Sequence, residues 1–323
     1  MEENFCLEVT TICDANCIMC PRDEYPFRFK TMDWETYKLC VSRLKEHFRQ
    51  TGGGGQTIGF GGYGDIFMCK KEILLQYMQY IKDEIPDCKL QSSSTCNAIT
   101  EEKLPLLEYL DVLRVSMYGM DKQTYESVHK GSVKFERVWE NIHRILDYPK
   151  RPYLSFNYVI LKQNKHHIEQ WKEYWEKRVD EIQIWKPHNF GGFYDTLELQ
   201  GLKDSIEIKP FTEAKDHPKC NRIYGRDMII RENGEVSLCC FDPHRKFIMG
   251  NLHTQSLEQI QNGEPIKNVQ RIFKENRVFS SNLICKVCDQ ITDRSDSLVY
   301  SNAPVEVGKT NNVAKRVNKN QKE

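Results

Sequence analysis

What most constrains this chain is the regular alternation of strand-like and helix-like segments over about its first 185 residues. Phe5-Cys6-Leu7-Glu8-Val9 has the length and alternation of a strand. Residues 33–50 read as a helix, with Asp33 as its N-cap and Trp34, Tyr37, Leu44 and Phe48 at helical spacing. Thr57-Ile58-Gly59-Phe60 reads as the next strand and ends in Gly61-Gly62-Tyr63-Gly64. Helices over residues 71–84, 101–109, 134–147 and 166–177 then alternate with strands near residues 89–93, 112–116, 153–161 and 181–185. This pattern predicts βαβ units, a parallel sheet and an α/β fold. Right-handed crossovers would curl six such units into a partial (β/α)6 TIM-like barrel. Loops that follow the strands gather at one end, so the Cys13–Cys20 and Gly61–Asp65 loops are expected to meet there.

From about Gly191 the pattern changes. Asn233-Gly234 is a hairpin-turn signal between residues 227–230 and 236–238. A helix near residues 256–274 leads to Cys285-Lys286-Val287-Cys288. The division expected is a barrel over 1–190, a small cysteine-rich unit over 191–300 and a polar, disordered tail over 301–323. A unit so small, with little core of its own, needs a staple, and metal is the obvious one. Balanced charge, 46 basic against 46 acidic residues, gives no global field for nucleic acid or an anionic membrane. No apolar run reaches the ~18 residues of a transmembrane helix, and the first residues lack a signal-peptide pattern. A cytoplasmic protein without membrane or nucleic-acid partners is expected.

The chain has 13 cysteines, an odd number, and they cluster. A reducing compartment disfavours disulfides, so the tight groups read as metal or cluster ligands. Cys6, Cys40, Cys69 and Cys88 sit among apolar neighbours and read as core residues. Cys13-Asp14-Ala15-Asn16-Cys17-Ile18-Met19-Cys20 has the spacing CxxxCxxC. Three thiolates on one loop can each take one iron of a cubane and leave the fourth iron open. Zinc is the rival, but it generally wants four ligands, and no His lies nearby to complete the set.

CxxxCxxC directly after a first strand resembles the radical S-adenosylmethionine (SAM) superfamily. The resemblance implies that Cys13, Cys17 and Cys20 hold a [4Fe–4S] cluster whose open iron chelates SAM. One-electron reduction would then release a 5′-deoxyadenosyl radical that takes a hydrogen from substrate. Gly61-Gly62-Tyr63-Gly64-Asp65 stands where the family's GGEP-like segment binds SAM, although the Glu-Pro pair is absent. Thr95-Cys96-Asn97-Ala98 resembles a Thr-Asn-Gly stretch, and Val115-Ser116-Met117-Tyr118-Gly119 resembles a Ser-x-x-Gly strand end. Gly61, Gly62, Asn97 and Ser116 are the implied SAM contacts. Cys220, Gly234, Cys239, Cys285 and Cys288 resemble the auxiliary-cluster extension SPASM in its short, twitch form. They imply a second [4Fe–4S] cluster. Cys239 is chosen over Cys240 on spacing, since neighbours on a strand face opposite sides. A zinc ribbon is the alternative for this group.

The short single-cluster form is similar to an aminocyclitol dehydrogenase. That implies an oxidoreductase acting on a small polar, sugar- or cyclitol-like substrate, with the auxiliary cluster accepting an electron. A flavodoxin- or ferredoxin-like donor is implied as partner. The first strand begins at about Asn4, without the N-terminal peptide-binding domain of many relatives, which favours a small substrate. A peptide-modifying maturase and a zinc-stabilised binding module are the alternatives. His188-Asn189-Phe190-Gly191-Gly192, after the sixth strand, is expected near the substrate, and no general base is assigned.

Overall fold

The structure, a computed structural model, describes residues 4–26, 29–52, 56–201, 218, 220–225, 227–291 and 298–303. Of the tail expected from residue 301, everything from 304 onward lies outside the described residues.

Strands β1 (Asn4–Leu7), β2 (Thr57–Phe60), β3 (Lys89–Ser94), β4 (Val112–Ser116), β5 (Tyr153–Val159) and β6 (Glu181–Trp185) pair in parallel and in chain order. This is the order of a partial-barrel wall. Their burial alternates: in β1, β2 and β4 every second side chain is sealed while its neighbours are partly open. The sealed positions, such as Phe5, Leu7, Ile58, Leu90, Leu113 and Val115, lie beneath the helices.

Helix α1 (Trp34–Thr51) begins where the Asp33 side chain accepts the Thr36 N–H at 2.9 Å and ends at Gly52 in the left-handed region. It packs on α2 (Lys71–Glu84) through a Tyr37–Tyr77 stack at 4.2 Å. The 101–109 segment is a 3-10 run rather than an α-helix, consistent with Pro105 inside it, which has no N–H to donate. A helix the sequence reading missed, α3 (Lys122–Val128), is capped by Asp121 and precedes α4 (Phe135–Asp147). Helix α5 (Ile168–Trp175) follows β5, and the short α6 (Thr196–Gln200) follows β6.

The C-terminal part departs most from expectation. Its strands join the barrel sheet, and its apolar residues join the barrel's core. β7 (Ile229–Ile230) pairs in parallel with β1, and β8 (Glu235–Ser237) and β9 (Ile248–Asn251) continue the same sheet. Ile230, Val236, Leu238 and Phe247 belong to one hydrophobic cluster with the barrel wall. At the opposite edge β10 (Leu298–Ser301) runs antiparallel to β6. The single helix expected over 256–274 is two, α7 (Leu257–Gln261) and α8 (Glu264–Lys274). Gly263 in extended conformation caps α8 and Pro265 sits in its first turn, so the chain restarts there.

Candidate active site

The cysteine loop is tied down on several sides. Arg22 Nη2 donates to the Ala15 carbonyl at 2.6 Å, and Ser132 Oγ accepts the Asn16 N–H at 2.8 Å. Ile18 N donates to the Val128 carbonyl of α3 at 3.0 Å, and Tyr194 Oη donates to the Cys20 carbonyl at 2.8 Å. Cys17 lies near both Cys20 and Cys13. Burial pushes Cys13 up to about 12, and Cys17 is raised by burial and then by Cys20 and Cys13. Tyr118 and Met19 pack beside Cys17. Among the described residues no three His, Cys, Asp or Glu side chains meet at a single-ion position. A cubane takes one thiolate per iron and does not require the sulfurs to meet at a point.

The glycine loop touches this one, as the alternation predicted. Asp65 N donates to the Ile12 carbonyl at 2.8 Å, and Gly64 lies so close that a Cβ there would stand 2.3 Å from the Thr10 oxygen. Gly62, at φ +150°, lies against Glu8, whose Oε1 accepts the Tyr63 N–H at 2.9 Å. Asp65 itself is structural: it is buried and accepts from Ser94 Oγ at 2.7 Å and from Phe67 N at 3.0 Å. Asn97 donates to Asp14 of the cysteine loop. Asn97 Oδ1 and Asp14 Oδ1 are buried without a hydrogen-bond partner among the described residues. Ser116, at the end of β4, hydrogen-bonds Tyr118.

Below these loops lies a cleft of ≈ 340 Å³. Gly61, Gly62 and Cys20 line its mouth, and Cys6, Gln91 and Arg114 line its strand wall. Cys6 is therefore a cleft residue and not the core residue expected, because its position in β1 faces inward while Phe5 and Leu7 face the helices. Cys40, Cys69 and Cys88 are buried in the core as expected.

The far wall comes from the C-terminal part: Ile229, Arg231, Cys240 and Phe241. Cys239 and Cys240 lie in a turn just after β8, so opposed strand faces do not separate them. The Cys239 thiol donates to Cys240, and that bond, with Arg222 and Arg231 facing it, holds the Cys240 thiol below its ordinary range. Tyr63 Oη donates to the Cys240 carbonyl at 2.6 Å, while Cys239 Sγ accepts from Phe241 N at 3.3 Å. Cys285 and Cys288 each feel the charge of Cys220, and Cys220 that of Cys240. The arrangement thus draws together Cys220, Cys285 and Cys288 with the Cys239–Cys240 turn, and Arg222 faces that turn and Cys220.

The His188–Gly192 segment clasps this second group. Asn189 Nδ2 donates to the Val287 carbonyl at 2.6 Å, and its N–H donates to Asp289 at 2.9 Å. Phe190 reaches the cleft, and His188 packs against Phe241 with the rings tilted and their centroids 4.8 Å apart.

Sequence reading missed a buried ion network that joins the two halves. Glu8 Oε2 stands 3.3 Å from Arg231 Nη1 and 3.6 Å from Arg245 Nη2. Tyr25 Oη donates to Glu8 at 3.2 Å and accepts from Arg245 Nη2 at 2.7 Å. An Arg-x-x-Gly turn and a Glu just after the first strand carry no signal of such a contact in one sequence.

Among the described residues, no helix is long and apolar enough to cross a membrane. Residues 7–174 match the radical SAM superfamily, and residues 220–289 match the iron–sulfur cluster-binding domain SPASM. Among solved structures, BtrN in complex with AdoMet and 2-DOIA is 18% identical at a TM-score of 0.57, covering 93% of this chain and 98% of that one. Native anSMEcpe with bound AdoMet and Cp18Cys peptide is 13% identical at 0.63, covering 92% and 90%. Streptococcus suis SuiB bound to precursor peptide SuiA is 15% identical at 0.60, covering 90% and 70%. Identities this low establish the shared fold. No curated protein matches the sequence significantly. The superfamily match spans more than half of the chain: it belongs to the radical SAM superfamily, carries a SPASM domain, and so implies a [4Fe–4S] cluster with SAM and further iron–sulfur ligation.

Proposed function

We propose that this enzyme is an oxidoreductase for a small polar, sugar- or cyclitol-like substrate. In this reading Cys13, Cys17 and Cys20 hold the SAM-binding cluster. Three thiols on one anchored loop suit its donor set, and the orphaned buried oxygens of Asp14 and Asn97 lie beside that loop. Gly61, Gly62, Asn97 and Ser116 are the SAM contacts. Cys220, Cys239, Cys285 and Cys288 hold the auxiliary cluster, in a barrel over 1–190 followed by a cluster domain over 191–300. When bound, these groups supply one-electron cleavage of SAM to a hydrogen-abstracting radical, and a second redox centre across the cleft.

The chain's own residues supply placement and shelter. Phe190, Phe241 and Tyr63 wall the cleft with aromatic surface, which limits water around a reactive radical. The observation that carries the reading is the polar inner wall. Gln91, Ser93, Arg114, Ser155, Asn157, Glu181 and Gln183 occupy inward strand positions, where a chamber for an apolar side chain would be greasy. A flavodoxin- or ferredoxin-like protein would deliver the electron.

Peptide maturation is the second reading, favoured by the likeness to anSMEcpe and SuiB, both solved with peptides. Anaerobic reconstitution followed by product analysis separates them. Oxidation of a candidate cyclitol coupled to 5′-deoxyadenosine release supports the first reading, and turnover only with a peptide overturns it.

A further inference from the structure

The register of the barrel wall sets four inward side chains in one row: Ser93 on β3, Arg114 on β4, Ser155 on β5 and Glu181 on β6. Arg114 is the member with unspent capacity. Of the five N–H donors on a guanidinium, one is engaged among the described residues, Nη2 to Gln91 Oε1 at 3.1 Å. No carboxylate among the described residues lies within ion-pair distance of it; Glu181, four strands into the row, acts only at longer range. Its neighbours are unspent too. The Ser93 hydroxyl makes no hydrogen bond within the described chain, and Ser155 Oγ is fully buried with no partner. One row further on, Asn157 Oδ1 is likewise buried and unpartnered.

Arg114 and Arg231 are the basic side chains of the cleft lining, and among the described residues no carboxylate lines it. Arg231 is already engaged by Glu8, by Ser237 Oγ at 2.8 Å and by the Asp242 carbonyl. Arg114 has no such company. A desolvated guanidinium with open donors, flanked by hydroxyls that lack a hydrogen-bond partner, is costly unless something completes it. A planar or tetrahedral oxyanion does so with paired N–H···O bonds.

We infer that the Ser93–Arg114–Ser155 row is a subsite for an anionic group, a carboxylate or phosphate, carried by the substrate. This rests on the reading of the cleft as the substrate chamber and narrows it: the polar substrate is acidic, as a uronate or a phosphorylated sugar would be. The carboxylate of SAM is the other source of the same chemistry, but the expected SAM contacts lie at the loop-bearing strand ends. Arg114 stands two residues deeper in β4 than Ser116.

Anaerobic calorimetric titration tests this without knowing the substrate. Inorganic phosphate, malonate and neutral myo-inositol are titrated into reconstituted, SAM-loaded protein. Phosphate or malonate should bind saturably at one site, about tenfold or more weaker in Arg114→Met, with partial retention in Arg114→Lys. Ser155→Ala, a smaller change that keeps the fold, should weaken the anion a few-fold. No saturable anion binding by the wild type, or undiminished binding in Arg114→Met and Ser155→Ala, overturns the subsite. So does a tenfold loss of SAM affinity in Arg114→Met with no anion site on the SAM-loaded wild type, because the guanidinium then serves SAM. Release of 5′-deoxyadenosine by the wild type is scored separately: its absence sinks the radical chemistry and leaves the anion titration to stand on its own.

Discussion

Glu8→Gln disturbs the junction between the SAM-side loops and the cluster domain more directly than any other single change. Glu8 is fully buried. One oxygen holds the Tyr63 N–H at 2.9 Å, and the other meets Tyr25 Oη at 3.2 Å, Arg231 at 3.3 Å and Arg245 at 3.6 Å. Glutamine has one acceptor oxygen for these two duties. Its NH2 must face either the Tyr63 N–H or a pair of guanidinium groups, and donor meets donor in both cases. Breaking a buried pair by removing one charge costs about 3–5 kcal/mol. Arg245 keeps Glu232 and Glu235, and Arg231 keeps Ser237, so the low end, about 3 kcal/mol, is expected. Anaerobic urea unfolding of the reconstituted protein measures it. Adding Arg231→Met to Glu8→Gln removes the stranded charge, so the double variant should cost less than the sum of the two singles. The bond to Tyr63 also weakens from a charged to a neutral acceptor, about 1 kcal/mol, which predicts a roughly fivefold loss of SAM affinity. A stability loss under about 1 kcal/mol, or strict additivity in the double variant, refutes the network as the link between the two halves.

Gly64→Ala would press a methyl group into the backbone oxygens of Thr10 and Ile12, at 2.3 and 2.8 Å. It should cost about 1–3 kcal/mol and weaken SAM binding by parting the two loops. Gly52→Ala, with open space around it, should carry only the left-handed backbone penalty of about 1 kcal/mol and leave SAM binding untouched. His129 is buried between Tyr118 and Tyr125, with Nδ1 2.8 Å from the Tyr125 carbonyl, and burial holds its pKa down at about 4 against an ordinary 6.5. The unfolded chain therefore takes up this proton first on acidification. Stability from this site falls as pH drops from about 6.5 to 4, by roughly 3 kcal/mol in total, and His129→Phe should flatten that limb of the urea-midpoint profile.

Most of the barrel was legible because its physics is local. Asp33 before an apolar helical stripe marks α1, and alternation within Thr57–Phe60 and Val112–Ser116 marks strands whose observed bounds agree with expectation. Errors came where tertiary pairing decides. The hairpin about Asn233-Gly234 was legible and pairs β7 with β8, but its docking on β1 was not, and β10 is a strand only because β6 offers a free edge. Continuity of the core across β1 and β7 likewise depends on that pairing, so the C-terminal part looked smaller and poorer in core than it is. The cysteine loop was visible because its ligands are close in sequence. Arg114, Arg231 and Cys6 were not, since a single polar residue within a strand reads alike whether it lines a chamber or faces solvent. Cys240 stands beside an expected ligand, and only the fold shows that it also reaches the cleft near Cys20.

Electron paramagnetic resonance of anaerobically reconstituted, dithionite-reduced protein, recorded with and without SAM, tests the central claim most directly. The wild type should hold about eight irons per chain, and its spectrum should change when SAM is added, as one cluster acquires a new ligand at its open iron. Cys17→Ala should retain about four irons and a spectrum that SAM leaves unaltered. A wild-type signal indifferent to SAM, or a Cys17→Ala protein that still responds to it, would contradict the assignment of Cys13, Cys17 and Cys20 as the grip on the SAM-binding cluster.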